Sequence, residues 1–383
     1  MIKMLTIIGA RPQIIKAAAF SRAIEKSFKN HVREVILHTG QHYDDSMSEV
    51  FFREMQIPKP DHNLKIGSAS HGAQTGQMIE GIEKVLLLEK PDAVVVYGDT
   101  NSTLAGALAA AKLHIPVIHV EAGLRSFNKA MPEEINRIAC DHVSTLLFSP
   151  TLTGIKNLEK EGIVHHENQS LSSDKQGVYH IGDVMYDNTL FFRIIAMERS
   201  PVLGNLGLNN TPYILATIHR PSNTDVTENL VSIVRALDQI AREKKIDIVL
   251  PLHPRTVAIL KREEFAQSMH LIQSNELIHL IPAVSFLDMI RLEAGASVLL
   301  TDSGGVQKEA WFMEKPVVVL REETEWIEII EAGNGVLTGA DQDKIVDATT
   351  TFLDSPPGEY PPIFGDGRAA HRLLEILTKA NWQ

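Results

Sequence analysis

The sequence contains a single cysteine, no block of basic residues and no long apolar run. Cys140 alone cannot form an intrachain disulfide, which indicates a reducing compartment. A formal net charge of -11 without a basic cluster argues against a nucleic-acid or anionic-membrane partner. The N-terminal segment MLTIIG is too short for the apolar part of a signal peptide and is typical of a buried strand. We therefore expect a cytoplasmic protein with no nucleic-acid or membrane partner.

Motifs for the common metals and cofactors are missing as well. The 16 histidines show neither HExxH nor HxxEH spacing. The sequence has no GxSxG turn, no P-loop and no GxGxxG after the first predicted strand. We therefore expect no metal and no cofactor, and nothing indicates dependence on NAD.

What the sequence does contain is a regular alternation of short strands and longer helices. Of its 383 residues, 44% are hydrophobic and 22% charged, which fits a globular protein of two domains. β-Branched apolar runs such as AVVVYGD and SVLLTDSGG alternate with helical patterns at 14–26, 77–89, 102–113 and 133–143. This order predicts parallel sheets with crossover helices.

The weakest region for regular structure is 197–212, which is rich in Gly, Asn and Pro and is the expected linker. We predict two Rossmann-like, doubly wound parallel-sheet domains that face a cleft, over 1–195 and 196–363. A Pro-rich segment precedes an amphipathic pattern at 364–383, which predicts a last helix that returns to the first domain. In such folds ligands bind at the carboxyl ends of the strands.

Two acids follow neighbouring strands of the first predicted domain, each inside a glycine-containing turn. Asp99 stands in YGDTNS and Glu121 in HVEAGLR, and an Ala-rich helix joins the two strands. Because the carboxyl ends of parallel strands meet at one edge, we expect the two carboxylates to lie close together. Carboxylates placed in this way can transfer protons.

The segment PEEINR begins the next helix. Pro132 at the first helical position and two acids in the first turn stabilise a helix start by themselves, so the motif fits a structural role as well as a catalytic one. Glu133 and Arg137 are four residues apart and are expected to form an ion pair. The position of this helix, soon after Glu121, favours a place beside the two acids.

In the second predicted domain, TDSGGVQKEA joins a strand to a helix. The glycines allow backbone N–H groups to approach a ligand, and the helix start favours a phosphate. Glu309, one turn further on, can accept hydrogen bonds from ribose hydroxyls. Taken alone, the motif is better explained by a plain strand–helix turn with a solvated glutamate.

Cationic residues follow other strands. Arg11 lies in GARP after the first strand, and ATIHRPSN and LPLHPRT place His219 and His253 with their neighbouring arginines after two strands of the second domain. Paired donors of this kind bind anionic oxygens, and together the two His-Arg pairs can neutralise a diphosphate. An incidental surface position is the alternative for each.

As a set, these motifs resemble the non-hydrolysing UDP-N-acetylglucosamine 2-epimerases, which have a glycosyltransferase-B-like fold. GARP, GDTNSTLA, HVEAGLRS, PEEINR, HPRT and TDSGGVQKEA occur in the family order, and the resemblance covers essentially the whole chain. It implies a UDP-sugar substrate and a homodimer. With the strand-end residues above, the expected UDP-binding set is Arg11, His219, His253, Arg255, Phe286, Ser303, Gly304, Gly305 and Glu309.

The resemblance also implies the catalytic group. Asp99, Glu121 and Glu133 are its acids, and Arg137 and His219 support them. UDP leaves by anti elimination across C1–C2 to give a 2-acetamidoglucal, and then adds back after reprotonation of C2 on the other face. The chemistry agrees, because the C2 proton becomes acidic only as the C1–oxygen bond breaks, and carboxylates can remove that proton and stabilise the cationic centre.

Two departures from the family concern regulation and substrate. Only Gln41 and His42 match the segment at which substrate activates some bacterial members. QHYDDSMSEVFF and LRSFNKAMPEEINR resemble more closely the subgroup that acts on UDP-2,3-diacetamido-2,3-dideoxyglucuronate. That substrate needs a cation for its carboxylate, and the candidates are Arg125, Lys129 and Arg321.

Other functions share parts of this pattern. A UDP-sugar glycosyltransferase would have the same fold and nucleotide site, and a hydrolysing relative would release free N-acetylmannosamine. A nucleotide-sugar-binding regulator would lack the acids. Three acids at one edge favour proton transfer at the sugar, and we expect an isomerase.

Overall fold

The computed structural model describes residues 1–40, 57–166, 170–252, 254–379 and 381. The chain forms two compact units, Met1–Asn188 with Pro362–Gln383 and Thr189–Pro361. In the described ranges, no helix has both the length and the apolar character that a membrane crossing requires.

The first unit is built on a parallel sheet of seven strands within the described residues, in the order β3-β2-β1-β4-β5-β6-β7. Its strands are β1 Ile2–Ile8, β2 Val32–His38, β3 His62–Asn63, β4 Ala93–Tyr97, β5 Val117–Val120, β6 Leu146–Ser149 and β7 Gly177–His180. Its helices are α1 Arg11–Ala23 with a π-helical turn Ile24–Phe28, α2 His71–Glu89, α3 Asn101–Lys112, α4 Pro132–Val143 and α5 Leu152–Lys160. Helix α6, Val184–Arg199, begins in this unit and continues into the second. The apolar strands are buried on both faces, as a doubly covered parallel sheet requires.

The second unit contains a parallel sheet of six strands in its described part, in the order β10-β9-β8-β11-β12-β13. The strands are β8 Tyr213–Thr217, β9 Asp247–Leu252, β10 Ile278–Pro282, β11 Val298–Thr301, β12 Val317–Val319 and β13 Gly335–Leu337. The helices are α7 Val202–Asn205, α8 Pro221–Thr224, α9 Thr227–Lys244, α10 Pro254–Leu260, a 3-10 turn Glu263–Phe265, α11 Ala266–Gln273, α12 Phe286–Gly295, α13 Gly304–Phe312, α14 Ile327–Glu331 and α15 Gln342–Asp354.

The last helix, α16 Ala369–Lys379, belongs to the first unit and packs against α1. Asp187 in α6 accepts hydrogen bonds from the backbone N–H groups of Ala369 and Ala370, each at 2.9 Å, and so supplies acceptors to the helix start. The predicted fold class, two Rossmann-like parallel-sheet domains with a returning C-terminal helix, is confirmed.

Some elements differ from the prediction. The short strands β3 and β13 were not predicted, because neither contains a distinct apolar run. Helix α2 begins at His71, six residues before the predicted start at 77, since its first three residues are exposed and its first turn lacks large apolar side chains and so the hydrophobic periodicity.

The register of the sheets sets the candidate site residues at the carboxyl edges. In the first sheet Tyr97 pairs with Val120, so Asp99 and Glu121 leave adjacent strands at the same edge. The crossover between them is tight: a Cβ on Gly106 of α3 would lie 2.8 Å from Ile7 Cδ1. This close contact explains the alanine- and glycine-rich composition of α3.

Candidate active site

Asp99 lies in the turn between β4 and α3 and is held by an arginine of α4. Arg137 Nη2 donates to Asp99 Oδ2 at 2.6 Å, and 29% of the Asp99 side chain is exposed. Gly98 has a φ of +64°, a left-handed conformation that favours glycine, and this conformation turns the chain so that Asp99 follows the strand directly. Asp99 is therefore a partly exposed carboxylate with a fixed cationic partner, Arg137.

The same guanidinium binds Glu134 rather than Glu133. Arg137 Nη1 donates to Glu134 Oε2 at 2.9 Å, so the predicted Glu133–Arg137 ion pair is wrong. Glu134 is buried and also accepts the backbone N–H groups of Ser126 and Phe127 at 2.9 and 3.0 Å. Burial raises the pKa of Glu134, but these hydrogen bonds and Arg137 outweigh it and leave the pKa below its ordinary value. Glu134 therefore shapes the loop, whereas Glu133 in the first turn of α4 is exposed.

Burial lowers the pKa of Arg137, but the carboxylates of Asp99, Glu134 and Glu121 outweigh it and keep the pKa above its ordinary value. The guanidinium is therefore a permanent positive charge between acids. The sequence prediction of an arginine beside Asp99 agrees with this position.

Glu121 follows β5 with a φ of +76° and forms an ion pair with Lys16 of α1. Their side chains are 13% and 11% exposed, respectively. A Cβ on Gly98 would lie 3.1 Å from Lys16 Nζ, so this lysine sits close beneath the turn that leads to Asp99. A left-handed glutamate is uncommon, and such strain occurs most often at functional sites.

Sequence reasoning missed Lys16. The signal was present in RPQIIKAAAF, where one lysine interrupts an apolar stretch of a helix that begins at a strand end. A lysine that is buried in a helix is rare unless it is paired, so an acid partner could have been expected.

Arg11 is the first residue of α1 and is exposed. The turn before it is held by Gln13, whose Oε1 accepts the backbone N–H groups of Gly9 and Ala10 at 2.9 and 3.0 Å. Gln13 Nε2 in turn donates to the carbonyl of Tyr97 at 3.0 Å. This links the turn of Arg11 to the end of β4.

Two of the three cations predicted for a sugar carboxylate already bind acids. Arg125 is buried and contacts Asp141 at 2.7 Å and Glu161 at 2.7 Å, so its prediction as a substrate contact is wrong. Arg321 contacts both oxygens of Glu325, at 2.9 and 3.1 Å. Lys129 is exposed.

In the second unit, Ser303 caps α13. Its hydroxyl accepts the backbone N–H of Val306, and Gly304 and Gly305 form the first helical turn. The Gly304 carbonyl accepts Trp326 Nε1–H at 2.9 Å, and Gly305 is exposed. The helix start thus presents backbone N–H groups of the kind that bind phosphate.

Asp302, just before this turn, is buried and holds the neighbouring loop. Its carboxylate accepts the backbone N–H groups of His219 and Arg220 at 3.0 Å and Asn223 Nδ2–H at 3.1 Å. The His219 ring is 42% exposed, with Nδ1 3.4 Å from Asp302 Oδ1. Sequence reasoning placed Asp302 only at the strand end and missed this holding role, which its burial reveals.

Glu309 of α13 lies against Glu293 of α12. Burial raises the pKa of Glu293 well above its ordinary value, and the Glu309 carboxylate adds to the increase. Burial and the neighbouring carboxylate therefore both favour the protonated form of Glu293.

The remaining predicted residues are placed as follows. Phe286 begins α12, and its ring packs edge-on against Phe192 with a centroid distance of 5.3 Å. Arg255 belongs to α10. His253, Gln41 and His42 lie outside the described residues. In the described residues, no group of three or more His, Cys, Asp or Glu side chains is suited to hold a metal ion.

Comparison with known proteins agrees with this architecture. The family model of UDP-N-acetylglucosamine 2-epimerase matches residues 24–378. The chain is 47% identical to the UDP-2,3-diacetamido-2,3-dideoxy-D-glucuronate 2-epimerase of Pseudomonas aeruginosa, and the match covers 98% of this chain and 99% of the relative. It is 42% identical to the UDP-N-acetylglucosamine 2-epimerase of Methanocaldococcus jannaschii, over 98% and 99% of the two chains. The crystal structure of UDP-GlcNAc 2-epimerase from M. jannaschii in complex with UDP-GlcNAc and UDP has a TM-score of 0.81 to this structure and covers 98% of this chain and 99% of its own.

Proposed function

The chain belongs to the UDP-N-acetylglucosamine 2-epimerase family, and we propose that it interconverts UDP-N-acetylglucosamine and UDP-N-acetylmannosamine without releasing the free sugar. The observation that carries the proposal is the carboxyl edge of the first sheet. There Asp99 and Glu121 leave adjacent strands, and each carboxylate is paired with a cation of the same unit.

We assign proton transfer at C2 to this edge, with Asp99, Glu121 and Glu133 as the acids. The C2 proton leaves as the C1–oxygen bond breaks, which gives a 2-acetamidoglucal and UDP. UDP then adds back after C2 is protonated on the opposite face. Arg137 and Lys16 hold the carboxylates of Asp99 and Glu121 in place, so that these acids can remove a proton and stabilise the positive charge that develops at C1.

We assign UDP binding to the carboxyl edge of the second sheet. The N–H groups at the start of α13 and the ring of His219 suit the diphosphate, and the Glu309 carboxylate suits the ribose hydroxyls. Arg11, His253, Arg255 and Phe286 remain predicted members of this set. Neutralising the diphosphate makes UDP a better leaving group.

A second substrate is supported by one comparison. The P. aeruginosa relative, at 47% identity, is named for UDP-2,3-diacetamido-2,3-dideoxy-D-glucuronate. The same acids would epimerise that sugar by the same steps, and exposed Lys129 is the candidate for its carboxylate. We also propose a homodimer, which the exposed Leu87 and Leu88 on α2 support.

Incubation with each UDP-sugar in heavy water, without an acceptor, tests the proposal. Deuterium at C2 together with the 2-epimeric UDP-sugar is the expected result, followed by NMR. Free sugar would indicate hydrolysis instead. No exchange with UDP-N-acetylglucosamine but exchange with the diacetamido uronate would transfer the assignment to the second substrate, and no exchange with either would overturn the proposal.

A further inference from the structure

A fully buried histidine connects the two turns that bear the candidate acids. His119 lies in β5, two residues before Glu121. Its Nε2 is 2.8 Å from the carbonyl oxygen of Gly98, the residue before Asp99. Its Nδ1 is 2.7 Å from Asp141 Oδ1 of α4. Both side chains have no exposed surface.

Asp141 extends the connection to the second turn. Its Oδ2 accepts the backbone N–H of Gly123 at 3.1 Å, two residues after Glu121. The same oxygen is 2.7 Å from Arg125 Nη1, and Arg125 Nη2 in turn binds Glu161 Oε2 at 2.7 Å. A continuous chain of contacts therefore runs from the Gly98 carbonyl through the ring to the Gly123 amide.

The partners of the ring define its protonation. A backbone carbonyl can only accept a hydrogen bond, and so can an ionised carboxylate. Because Arg125 and the Gly123 amide both donate to Asp141, that carboxylate is ionised, and its pKa is below the ordinary value although burial acts in the opposite direction. Both ring nitrogens of His119 must then donate, since a neutral ring would set a lone pair against an acceptor.

The titratable neighbours of the ring agree with this assignment. The groups that face it are the Cys140 thiol and Asp141, both from α4, with Arg125 on the far side of Asp141. Burial lowers the pKa of His119, but Cys140 and Asp141 outweigh it and raise the pKa well above the ordinary value. A positive charge on His119 also compensates the negative charge of Asp141. Arg125 cannot do so alone, because it is shared between Asp141 and Glu161.

We propose that His119 is a positioning residue: a buried imidazolium that, with Asp141, ties the turn of Asp99 to the turn of Glu121 and fixes the spacing of the two acids. Proton transfer depends on that spacing, and a displacement of about 1 Å at a catalytic group can reduce the rate about 10²-fold. The kinetic consequence rests on the proposed epimerase function, whereas the protonation of the ring does not.

The protonation is tested on the unchanged protein with ¹⁵N-labelled histidine. At about pH 8.5, roughly two units above an ordinary histidine pKa, NMR should show one ring with protons on both nitrogens. His119→Gln and Asp141→Asn spectra identify the signal. If every ring is a neutral tautomer at this pH, the inference is overturned, whether or not either variant folds.

The positioning role is tested by kinetics. His119→Gln should reduce kcat for C2 exchange about 10²-fold while KM and UDP affinity change little, and Tm should fall because Asp141 loses a charged partner. The matched control is His62→Gln, which removes the part-buried contact between His62 Nε2 and Glu89 at 2.7 Å and should leave kcat unchanged. Glu161→Gln, at the outer end of the same chain of contacts, should also have little effect on kcat.

Full kcat in folded His119→Gln would overturn the positioning role. Equal losses of kcat and UDP affinity would reduce His119 to a structural residue and overturn the positioning role as well. If the unchanged protein shows no C2 exchange with either UDP-sugar, the proposed function fails, and the NMR result still decides the protonation of the ring.

Discussion

The carboxyl edges of the two sheets use charge in opposite ways. At the first edge, the acids Asp99 and Glu121 are presented in turns, and the cations Arg137 and Lys16 lie behind them. At the second edge the acid is hidden: Asp302 has no exposed surface and accepts backbone N–H groups, while the His219 ring is 42% exposed.

This difference shows how one architecture can serve two chemistries. Parallel strands deliver both sets of residues to a carboxyl edge, and the choice of the buried partner decides which charge remains available. A buried cation leaves a carboxylate for proton transfer, whereas a buried carboxylate leaves amides and cationic side chains for an anion such as a diphosphate.

The largest effect is expected at the first edge. Asp99→Asn keeps the shape of the side chain but removes the base, so C2 exchange should fall about 10³-fold or more while UDP affinity stays nearly constant. Exchange by NMR and UDP binding by calorimetry measure the two. The matched control is Asp92→Asn at the opposite end of β4, where the exposed carboxylate accepts the Lys3 backbone N–H at 2.7 Å. Loss of UDP binding in Asp99→Asn would contradict the assignment of proton transfer to the first edge and of UDP binding to the second.

Removal of the cation behind Glu121 comes next. Lys16→Met leaves that carboxylate nearly buried without its cation, so kcat should fall about 10²-fold and Tm should drop, because breaking a buried pair costs about 3–5 kcal/mol. The double variant Lys16→Met/Glu121→Gln should recover Tm but not kcat. Lys26→Met, an exposed lysine just after α1, is the control. Unchanged kcat in Lys16→Met would mean that proton transfer does not depend on the ion pair between Lys16 and Glu121.

The second edge should respond in binding rather than in chemistry. Asp302→Asn retains one acceptor oxygen and places an NH₂ group against the amides of His219 and Arg220, so the loop loses its support. We expect UDP affinity to fall about tenfold, equivalent to about 1.4 kcal/mol, with a smaller change in kcat. Asp341→Asn, a helix cap at α15 in the same unit, is the control for stability. A selective loss of kcat would reverse the assignment of the two edges.

Much of the fold and of the edge positions was predictable from sequence. The alternation of β-branched runs with helices identified the parallel sheets, and because strand ends of a parallel sheet share an edge, Asp99 and Glu121 could be placed together. The same rule predicted Ser303 and His219 beyond neighbouring strands, since Thr217 pairs with Thr301.

The partners of these residues were not predictable in the same way. Glu133 and Glu134 are adjacent in one helical turn, and only the geometry shows that Glu134 faces Arg137. Lys16 reaches Glu121 across more than a hundred residues, and Arg125 was expected to face substrate although it binds Asp141. Contacts between side chains distant in sequence depend on packing, which periodicity and spacing do not encode.

The smallest effect on activity is expected at an acid of the first sheet that has hydroxyl partners instead of a cation. Glu34 in β2 accepts the Thr6 hydroxyl at 2.6 Å, and burial raises its pKa to about 7 from an ordinary value of 4.5, although Thr6 and Ser21 act in the opposite direction. The folded protein therefore holds this proton more tightly than the unfolded chain. The resulting stability is fully present below pH 4.5 and is lost as the pH rises through 7. Glu34→Gln keeps the neutral form, so its Tm relative to the unchanged protein should increase between pH 5 and pH 8, by the equivalent of about 1–3 kcal/mol.

Calorimetry at several pH values measures this trend, with activity unchanged. The control has the opposite sign: the exposed Glu80 pairs with Lys84, which lowers the pKa of its carboxyl. Glu80→Gln should therefore lower Tm slightly at pH 8 and have no effect once the pH is low enough to protonate the carboxyl. A pH-independent difference between Glu34→Gln and the unchanged protein would show that Glu34 is ionised in the fold. In that case the lack of a cationic partner would not keep an acid protonated inside the first sheet. The distinction between acids with and without cationic partners would then hold only at the carboxyl edge.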